Sequence, residues 1–337
     1  MKIIRQYSFT LFVCAAAIAA MIHPEPFRQV GGFELKRLIV PLLQIIMFGM
    51  GTTLGLRDFE GVVKMPRAVI IGLTCQFTIM PVVGFSLAHL FGFPDEIAAG
   101  VILIGCVPSG LASNVMAFIA KANLPLSITI TSCATLLAPL FTPALMKLLG
   151  GAFVKVEAVA MMIDILKMVI LPIVAGLAVN RLLRHRLDWL NQVMPKVSMF
   201  GIVMIISVIT ALGREHLLKV GGALLLCVAL HNTLGYTLGY WAARFLRLKE
   251  ADCRTVAIEV GLQNGGLASG LALQMGKVAT VGLAPALFGP LMNITGSLLA
   301  NYWGKRPPAE TKELKIPGGG MDEILPSGAP KNCRDNT

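Results

Sequence analysis

Long apolar segments follow one another along nearly the whole chain, separated by short polar connections. Many of them reach about 18 residues, the length that an α-helix needs to cross a hydrocarbon layer of about 30 Å. Backbone polar groups in lipid must be satisfied within the protein, so these segments predict helices rather than open sheets. We predict ten spans, at 7–23, 37–55, 67–91, 95–120, 124–150, 157–183, 193–212, 216–246, 251–275 and 279–303.

The two ends of the chain differ from the middle. Lys2 and Arg5 precede the first apolar run as they would in a signal peptide, but further spans follow, which favours an uncleaved first span. Residues 304–337 mix charges, prolines and three consecutive glycines, which predicts a disordered tail after a membrane domain at 1–303. Ten spans place both termini on one side, where the connections carry more Lys and Arg, and this predicts cytoplasmic termini.

Composition narrows the class of protein. The 337 residues are 55% hydrophobic and only 14% charged, whereas a soluble domain carries about a quarter charged residues. The net charge of +11 is spread over the connections, as in membrane proteins, and does not form a nucleic-acid-binding face. The seven cysteines show no metal-type spacing, and most fall in apolar segments, so they predict neither disulfides nor an organic cofactor.

An internal repeat organises the spans. Gly110-Leu111-Ala112-Ser113 recurs as Gly266-Leu267-Ala268-Ser269, an offset of 156 residues. The same offset carries each of the first five predicted spans onto one of the last five, and it lays Gln76 on Asn232. Because five spans is an odd number, the second copy would enter the membrane in the opposite orientation, as in many secondary transporters.

Both copies of the repeated segment contain residues that interrupt helices. Span 4 carries Pro108-Ser109-Gly110, and span 9 carries Gln263-Asn264-Gly265-Gly266. A single such segment is typical of a kink, since proline and glycine are common in membrane helices. Two at related positions predict discontinuous helices, whose N-termini can face an anion and whose free carbonyls can bind a cation.

Polar oxygen-bearing residues gather around these breaks. Glu259 lies inside span 9, where a carboxylate costs at least roughly 2.5 kcal/mol and therefore needs a partner. Ser113 and Asn114 follow the span 4 break, and Ser127 and Thr131 lie four residues apart on one face of span 5. Hard cations such as sodium select oxygen ligands of these kinds. The alternative is a structural, hydrogen-bonded glutamate with hydroxyls bonded to their own helices.

The chain resembles the bile acid:sodium symporter family, and most of all its bacterial ten-span members, along nearly all the predicted spans. The segments that carry the resemblance are IMFGMGTTL (Ile46 to Leu54), GCVPSGLASNVMAFIAKANLPLS (Gly105 to Ser127), KMVILPIVAGL (Lys167 to Leu177), HNTLGY (His231 to Tyr236), IEVGLQNGGLA (Ile258 to Ala268) and NITGSLLANYW (Asn293 to Trp303). The resemblance implies an all-α membrane protein of the bacterial inner membrane. Spans 1, 2, 6 and 7 would form a panel domain, and spans 3 to 5 and 8 to 10 a core domain in which helices 4 and 9 cross.

The resemblance also implies binding sites for two sodium ions and an organic anion. The first sodium site would comprise Ser113, Asn114, Ser127, Thr131 and Glu259. The second would comprise Gln76, Glu259, Gln263 and backbone carbonyls near Val260 and Leu262. The substrate site would include Leu111, Ala112, Asn264 and Asn293. Leu111 stands where a bacterial relative has threonine, which leaves open which monocarboxylate binds, pantoate-like acids and bile acids being the candidates.

Other functions remain as alternatives to sodium symport. Glu259 could couple transport to protons, or the carrier could export its anion. A membrane-embedded enzyme using Glu259 and His231 would lack a nucleophile motif, and a channel would pass currents above carrier turnover. We predict that His231 is a packed core residue and that Asp164 and Lys167, three residues apart in span 6, form a structural ion pair. No obligate protein partner is expected.

Overall fold

The computed structural model describes residues 2–182 and 188–308, and these residues are almost entirely helical. The predicted disordered tail lies outside the described residues from position 309 onward. The helices are α1 (Lys2–Ile22), α2 (Glu25–Arg28), α3 (Ile39–Thr53), α4 (Glu60–Lys64), α5 (Pro66–Phe91), α6 (Asp95–Cys106), α7 (Ala112–Ile119), α8 (Leu124–Leu145), α9 (Ala158–Ile165), α10 (Leu171–Leu182), α11 (Asp188–Leu212), α12 (Arg214–Phe245), α13 (Glu250–Gly261), α14 (Gly265–Gln274) and α15 (Leu283–Gly304).

Shorter elements extend or connect these helices. The 3-10 turns Leu35–Leu38 and Leu56–Phe59 flank α3, and π-helical turns at Met146–Gly150 and Leu166–Ile170 continue α8 and α9. Two short antiparallel strands, β1 (Gln29–Val30) and β2 (Phe33–Glu34), form a hairpin that the hydrophobic pattern does not predict. Gly31 and Gly32 both have positive φ, which a two-residue turn of this kind requires.

Seven helical segments in the described part of the chain are long and apolar enough to cross a membrane. They are Leu35–Thr53, Pro66–Phe91, Leu124–Gly150, Ala158–Leu182, Val193–Leu212, Arg214–Phe245 and Leu283–Gly304. Each coincides with a predicted span to within a few residues. The chain is therefore a multi-pass, all-α membrane protein. The remaining three predicted spans correspond to α1 and to two pairs of short helices, α6 with α7 and α13 with α14.

The helix is interrupted at both predicted places, with one correction. Residues 107–111 separate α6 from α7, and residues 262–264 separate α13 from α14. Gly265 and Gly266 lie in the first turn of α14, not in the break, and neither has positive φ. The small size of Gly266 matters for space, because a Cβ there would lie 3.2 Å from Leu43 Cδ1 on α3. A Cβ on Gly265 would make only ordinary contacts, 3.4 Å from the Pro285 carbonyl oxygen on α15.

The half-helices that follow the two breaks end in the same way. After α7, Lys121 adopts a φ of 52°, and the Ala122 amide donates to the Ala117 carbonyl over 3.0 Å. After α14, Gly276 adopts a φ of 71°, and the Lys277 amide donates to the Ala272 carbonyl over 2.9 Å. Both are left-handed C-terminal caps that satisfy the last carbonyls of the helix.

Candidate cation and substrate sites

The two broken helices meet at their breaks. Ser109 and Gln263 pair as an isolated antiparallel β-bridge, and the Asn264 amide donates to the Pro108 carbonyl over 2.8 Å. Irregular backbone at membrane depth is tolerated only where other groups satisfy it. Here each break supplies partners for the other, so the crossing is held by backbone hydrogen bonds as well as by packing.

Side chains on neighbouring helices satisfy the carbonyls that each break frees. Gln76 Nε2 on α5 donates to the Val107 carbonyl over 3.1 Å, and Asn232 Nδ2 on α12 donates to the Gly261 carbonyl over 2.7 Å. The last carbonyls of a helix have no partner within that helix. The two amides that the repeat superimposes therefore perform the same structural task, each at the end of the first half of a broken helix.

The Glu259 carboxylate lies fully buried at the crossing and accepts three hydroxyl hydrogen bonds. Ser127 Oγ donates to Oε1 over 2.5 Å, and Thr131 Oγ1 donates to Oε2 over 2.8 Å. Ser109 Oγ also donates to Oε2, over 2.5 Å. The carboxylate thus has the partners that a buried polar group requires.

The remaining residues predicted for the first sodium site join the same network. Asn114 Oδ1 lies 2.9 Å from Ser127 Oγ and 3.3 Å from Thr131 Oγ1. Ser113 Oγ lies 3.1 Å from Thr131 Oγ1. The structure therefore brings together all five predicted residues through hydroxyl, amide and carboxylate oxygens, the atoms that a hard cation prefers.

Ser109 is the functional candidate that sequence reasoning missed. It lies in the predicted first break but is not among the five residues predicted for the first sodium site. Its side chain reaches Glu259 because the two breaks run antiparallel, and it is fully buried. The sequence signal was the Ser109 hydroxyl itself, because its break was predicted to cross the helix that carries Glu259.

The residues predicted for the second sodium site are only partly brought together. Gln76 Nε2 donates to Gln263 Oε1 over 2.9 Å, and Gln263 Nε2 donates to the Val260 carbonyl over 2.6 Å. Both partners of the Gln76 nitrogen are acceptors, so its Oε1 points elsewhere and remains buried without a hydrogen bond. Among the described hydrogen bonds, neither Glu259 nor the Leu262 carbonyl joins the two glutamines.

A cavity of about 250 Å³ opens beside the crossing, between the breaks and helices α3, α11 and α15. All four predicted substrate residues line it, namely Leu111, Ala112, Asn264 and Asn293. None of its described lining residues is charged, and most are apolar. An anion here would be balanced by backbone dipoles and by bound cations rather than by an arginine or a lysine.

Two helix N-termini begin at this cavity. Ala112 starts α7 and Gly265 starts α14, and both residues line the cavity wall. Asn264 caps α14, since its Oδ1 accepts from the Leu267 amide over 3.0 Å. Asn293 Nδ2 donates to the Gly289 carbonyl over 2.8 Å. Helix N-termini carry partial positive charge and unpaired N–H groups, which suit a carboxylate.

Two further predictions, for His231 and for the pair Asp164 and Lys167, have different outcomes. His231 is buried, with Nε2 2.9 Å from the Met80 carbonyl and its ring edge-on to Phe288, in agreement with a packed core residue. The predicted ion pair between Asp164 and Lys167 is wrong, because these two described residues form no ion pair. The helix changes from α to π winding after Ile165, so the spacing of three does not align their side chains, and Asp164 lines a second cavity instead.

The chain is similar to known transporters along most of its length. Residues 40–220 match the model of the Sodium Bile acid symporter family. An uncharacterized sodium-dependent transporter of Bacillus subtilis, YocS, is 41% identical over 91% of this chain and 95% of its own. A probable chloroplastic sodium/metabolite cotransporter of Arabidopsis thaliana, BASS1, is 30% identical over 91% of this chain and 75% of its own. A probable chloroplastic sodium/metabolite cotransporter of rice, BASS3, is 34% identical over 87% of this chain and 69% of its own. These relatives are named as transporters rather than enzymes, and the chain belongs to the Sodium Bile acid symporter family.

Proposed function

We propose that this protein couples the entry of sodium to the uptake of a small organic anion by alternating access. The observation that carries the proposal is the buried Glu259 carboxylate, surrounded by hydroxyl and amide oxygens where two broken helices cross, beside an uncharged cavity. The relatives named as sodium-dependent transporters and sodium/metabolite cotransporters support the same coupling ion.

Two sodium ions fit the charges of this region. One ion would bind the carboxylate network, whose members are Ser113, Asn114, Ser127, Thr131 and Glu259. The second would bind the Gln76 and Gln263 amides, Glu259 and the carbonyls of Val260 and Leu262. The orphaned Gln76 oxygen supports a cation there, since a buried acceptor without a partner costs about 1–3 kcal/mol. Two sodium ions would balance Glu259 and one substrate carboxylate, which leaves the loaded core neutral.

The cavity suits a monocarboxylate with an apolar body. The carboxylate would lie at the N-termini of α7 and α14, near Leu111, Ala112, Asn264 and Asn293. The rest of the molecule would contact the apolar wall, which includes Met47 and Met199. A second carboxylate would have no cationic side chain to meet. Our first choice is a pantoate-like hydroxy acid, with bile acids as larger ligands of the same site.

Alternating access would occur between two groups of helices. In the described structure, α3 packs on α10 and α11, and α1 packs on α11, while α5 packs on α6, α8, α12 and α13. We assign the first group to a panel domain and the second, with α7, α14 and α15, to a core domain. The proposed substrate cavity lies between them. Movement of the core against the panel would expose it to either side of the bacterial inner membrane.

Uptake into proteoliposomes tests the proposal. Labelled pantoate should accumulate when a sodium gradient is imposed, and should not accumulate with potassium. A proton gradient without sodium should be ineffective. Accumulation driven by protons alone would favour the proton-coupled alternative through Glu259, and sodium-independent export would favour an efflux carrier.

Cysteine accessibility tests the proposed ten-span topology with both termini in the cytoplasm. In a variant that retains only Cys333, an impermeant thiol reagent should label inverted vesicles but not intact cells. Lys155→Cys, at a connection predicted to lie outside, should give the opposite result in the same cysteine-free background, since its side chain is exposed. Labelling of Cys333 in intact cells would refute the topology.

A further inference from the structure

We propose that Ser109 is a positioning residue that couples the two sodium sites, an inference that rests on the proposed function. Its hydroxyl donates to Glu259 Oε2 over 2.5 Å, and its backbone pairs with Gln263, which belongs to the amide set of the second site. Glu259 belongs to both sets, and Ser109 contacts it through its hydroxyl while its backbone contacts Gln263 of the second set. It is fully buried, so no bulk water replaces either contact.

The Ser109 hydroxyl differs from the other hydroxyls around Glu259. Ser127 and Thr131 also contact Asn114, and Ser113 contacts Thr131, so these three lie within one cluster on α7 and α8. The hydrogen bond from Ser109 Oγ to Glu259 comes from the break itself. It links Oε2, which also accepts from Thr131 on α8, to the antiparallel pair of breaks.

Ser109 therefore links the residues of the two sodium sites through direct contacts. A cation that draws Glu259 toward the α7–α8 cluster changes the geometry of the Ser109 hydrogen bond. Ser109 is bridged to Gln263, and Gln263 accepts from Gln76, so the displacement reaches the amide pair over two short contacts. Binding at one site then prepares the other, which is positive coupling between ligands.

The sodium dependence of uptake tests this coupling. With saturating pantoate, the parent protein should show a Hill coefficient of about two for two coupled ions. In Ser109→Ala the coefficient should fall toward one. The half-maximal sodium concentration should rise about tenfold, the loss expected for a hydrogen bond to a charged group. Ser109→Thr, which keeps the hydroxyl, should restore the coefficient.

A matched control separates coupling from general destabilisation. Ser207 on α11 is also buried, and its hydroxyl has no hydrogen-bond partner. Ser207→Ala should leave both sodium parameters unchanged. If Ser109→Ala folds poorly, Ser109→Cys keeps nearly the same volume with a weaker donor and should give an intermediate coefficient. Thermal unfolding in detergent measures whether each variant is as stable as the parent protein.

The outcomes distinguish this inference from the proposed function. A parent protein without sodium-dependent uptake would refute the function itself. Sodium-dependent, cooperative uptake in the parent, with an unchanged Hill coefficient in Ser109→Ala and in Ser109→Cys, would overturn only the role of Ser109. Equal loss of cooperativity in Ser109→Ala and Ser207→Ala would also overturn it, since the effect would then be nonspecific.

Discussion

The crossing of the broken helices has two polar regions that differ in charge and in hydrogen bonding. Around Glu259, three hydroxyls donate to a buried carboxylate, and Asn114 Oδ1 lies within 3.3 Å of two of them. Around Gln76 and Gln263 there is no formal charge, and one buried amide oxygen has no partner. The carboxylate of the first region is satisfied by neighbouring hydroxyls, whereas the Gln76 oxygen of the second region has no donor.

This difference suggests how each region would treat a cation. A serine or threonine hydroxyl that donates to a carboxylate still has lone pairs for a cation, so sodium can bind among the hydroxyls without breaking their bonds to Glu259. The Gln76 oxygen instead gains its first partner when a cation arrives. We therefore expect the carboxylate region to determine whether sodium is required, and the amide region to adjust how much is needed.

Removing the carboxylate should have the largest effect. In Glu259→Ala the region loses its charge, and the hydroxyls of Ser109, Ser127 and Thr131 lose their acceptor, so sodium affinity should fall by more than about tenfold and sodium-driven uptake should disappear. Uptake into proteoliposomes measures this loss. Glu157→Ala, which removes an exposed carboxylate, should transport normally. Sodium-driven uptake by Glu259→Ala would show that the charge is dispensable.

Two amides related by the repeat offer the next test. Gln76 and Asn232 each donate to a carbonyl at the end of a half-helix, but in our account only Gln76 belongs to a cation site. Gln76→Leu and Asn232→Leu should each lower the free energy of unfolding by about 1–3 kcal/mol, since each leaves a buried carbonyl unpaired. Thermal unfolding in detergent measures this shared loss.

Their effects on sodium should differ. Gln76→Leu should raise the half-maximal sodium concentration for uptake by about tenfold, the loss expected for one polar ligand. Asn232→Leu should leave it unchanged. An equal rise in both variants would mean that the amides only support the breaks, and that the second cation site lies elsewhere.

The smallest expected effect concerns the substrate cavity. Leu111 lines the cavity at the start of α7 and is about a third exposed. Leu111→Thr adds a hydroxyl near the proposed carboxylate position and should tighten pantoate binding by about 1 kcal/mol, roughly fivefold. Binding to the detergent-purified protein measures the change. A carboxylic acid without the hydroxyl groups of pantoate serves as the comparison ligand, and weaker pantoate binding in the variant would argue against this position.

Much of the fold could be predicted because long apolar segments and helix-breaking residues are local signals. The bounds of the long helices and the first break followed from hydropathy and from Pro108. The position of the second break did not, because Gly265 and Gly266 lie in the first turn of α14 without positive φ and do not interrupt the helix. The β-hairpin was also missed, since strands of two residues have no periodicity to detect.

The residues of the site could largely be predicted, but the contacts between their side chains could not. Glu259 and the hydroxyls of α8 are conspicuous in apolar segments, and motif resemblance grouped them. The contact of Ser109 with Glu259 depends on the antiparallel crossing of two segments 150 residues apart. The absence of an Asp164–Lys167 ion pair depends on a π-helical turn. Tertiary geometry decides the first and a local change of helical winding the second, and the spacing of residues along the chain predicts neither.

The central claim is that sodium binds at the Glu259 carboxylate. Its most direct test is the unfolding temperature of the detergent-purified protein, titrated with sodium at constant ionic strength with potassium as the balancing ion. The parent should gain stability as sodium rises, by about 2.7 kcal/mol at a concentration 100 times the dissociation constant. Glu259→Gln, which keeps the shape but removes the charge, should show no sodium-specific gain. An equal sodium-specific gain in Glu259→Gln would contradict the account.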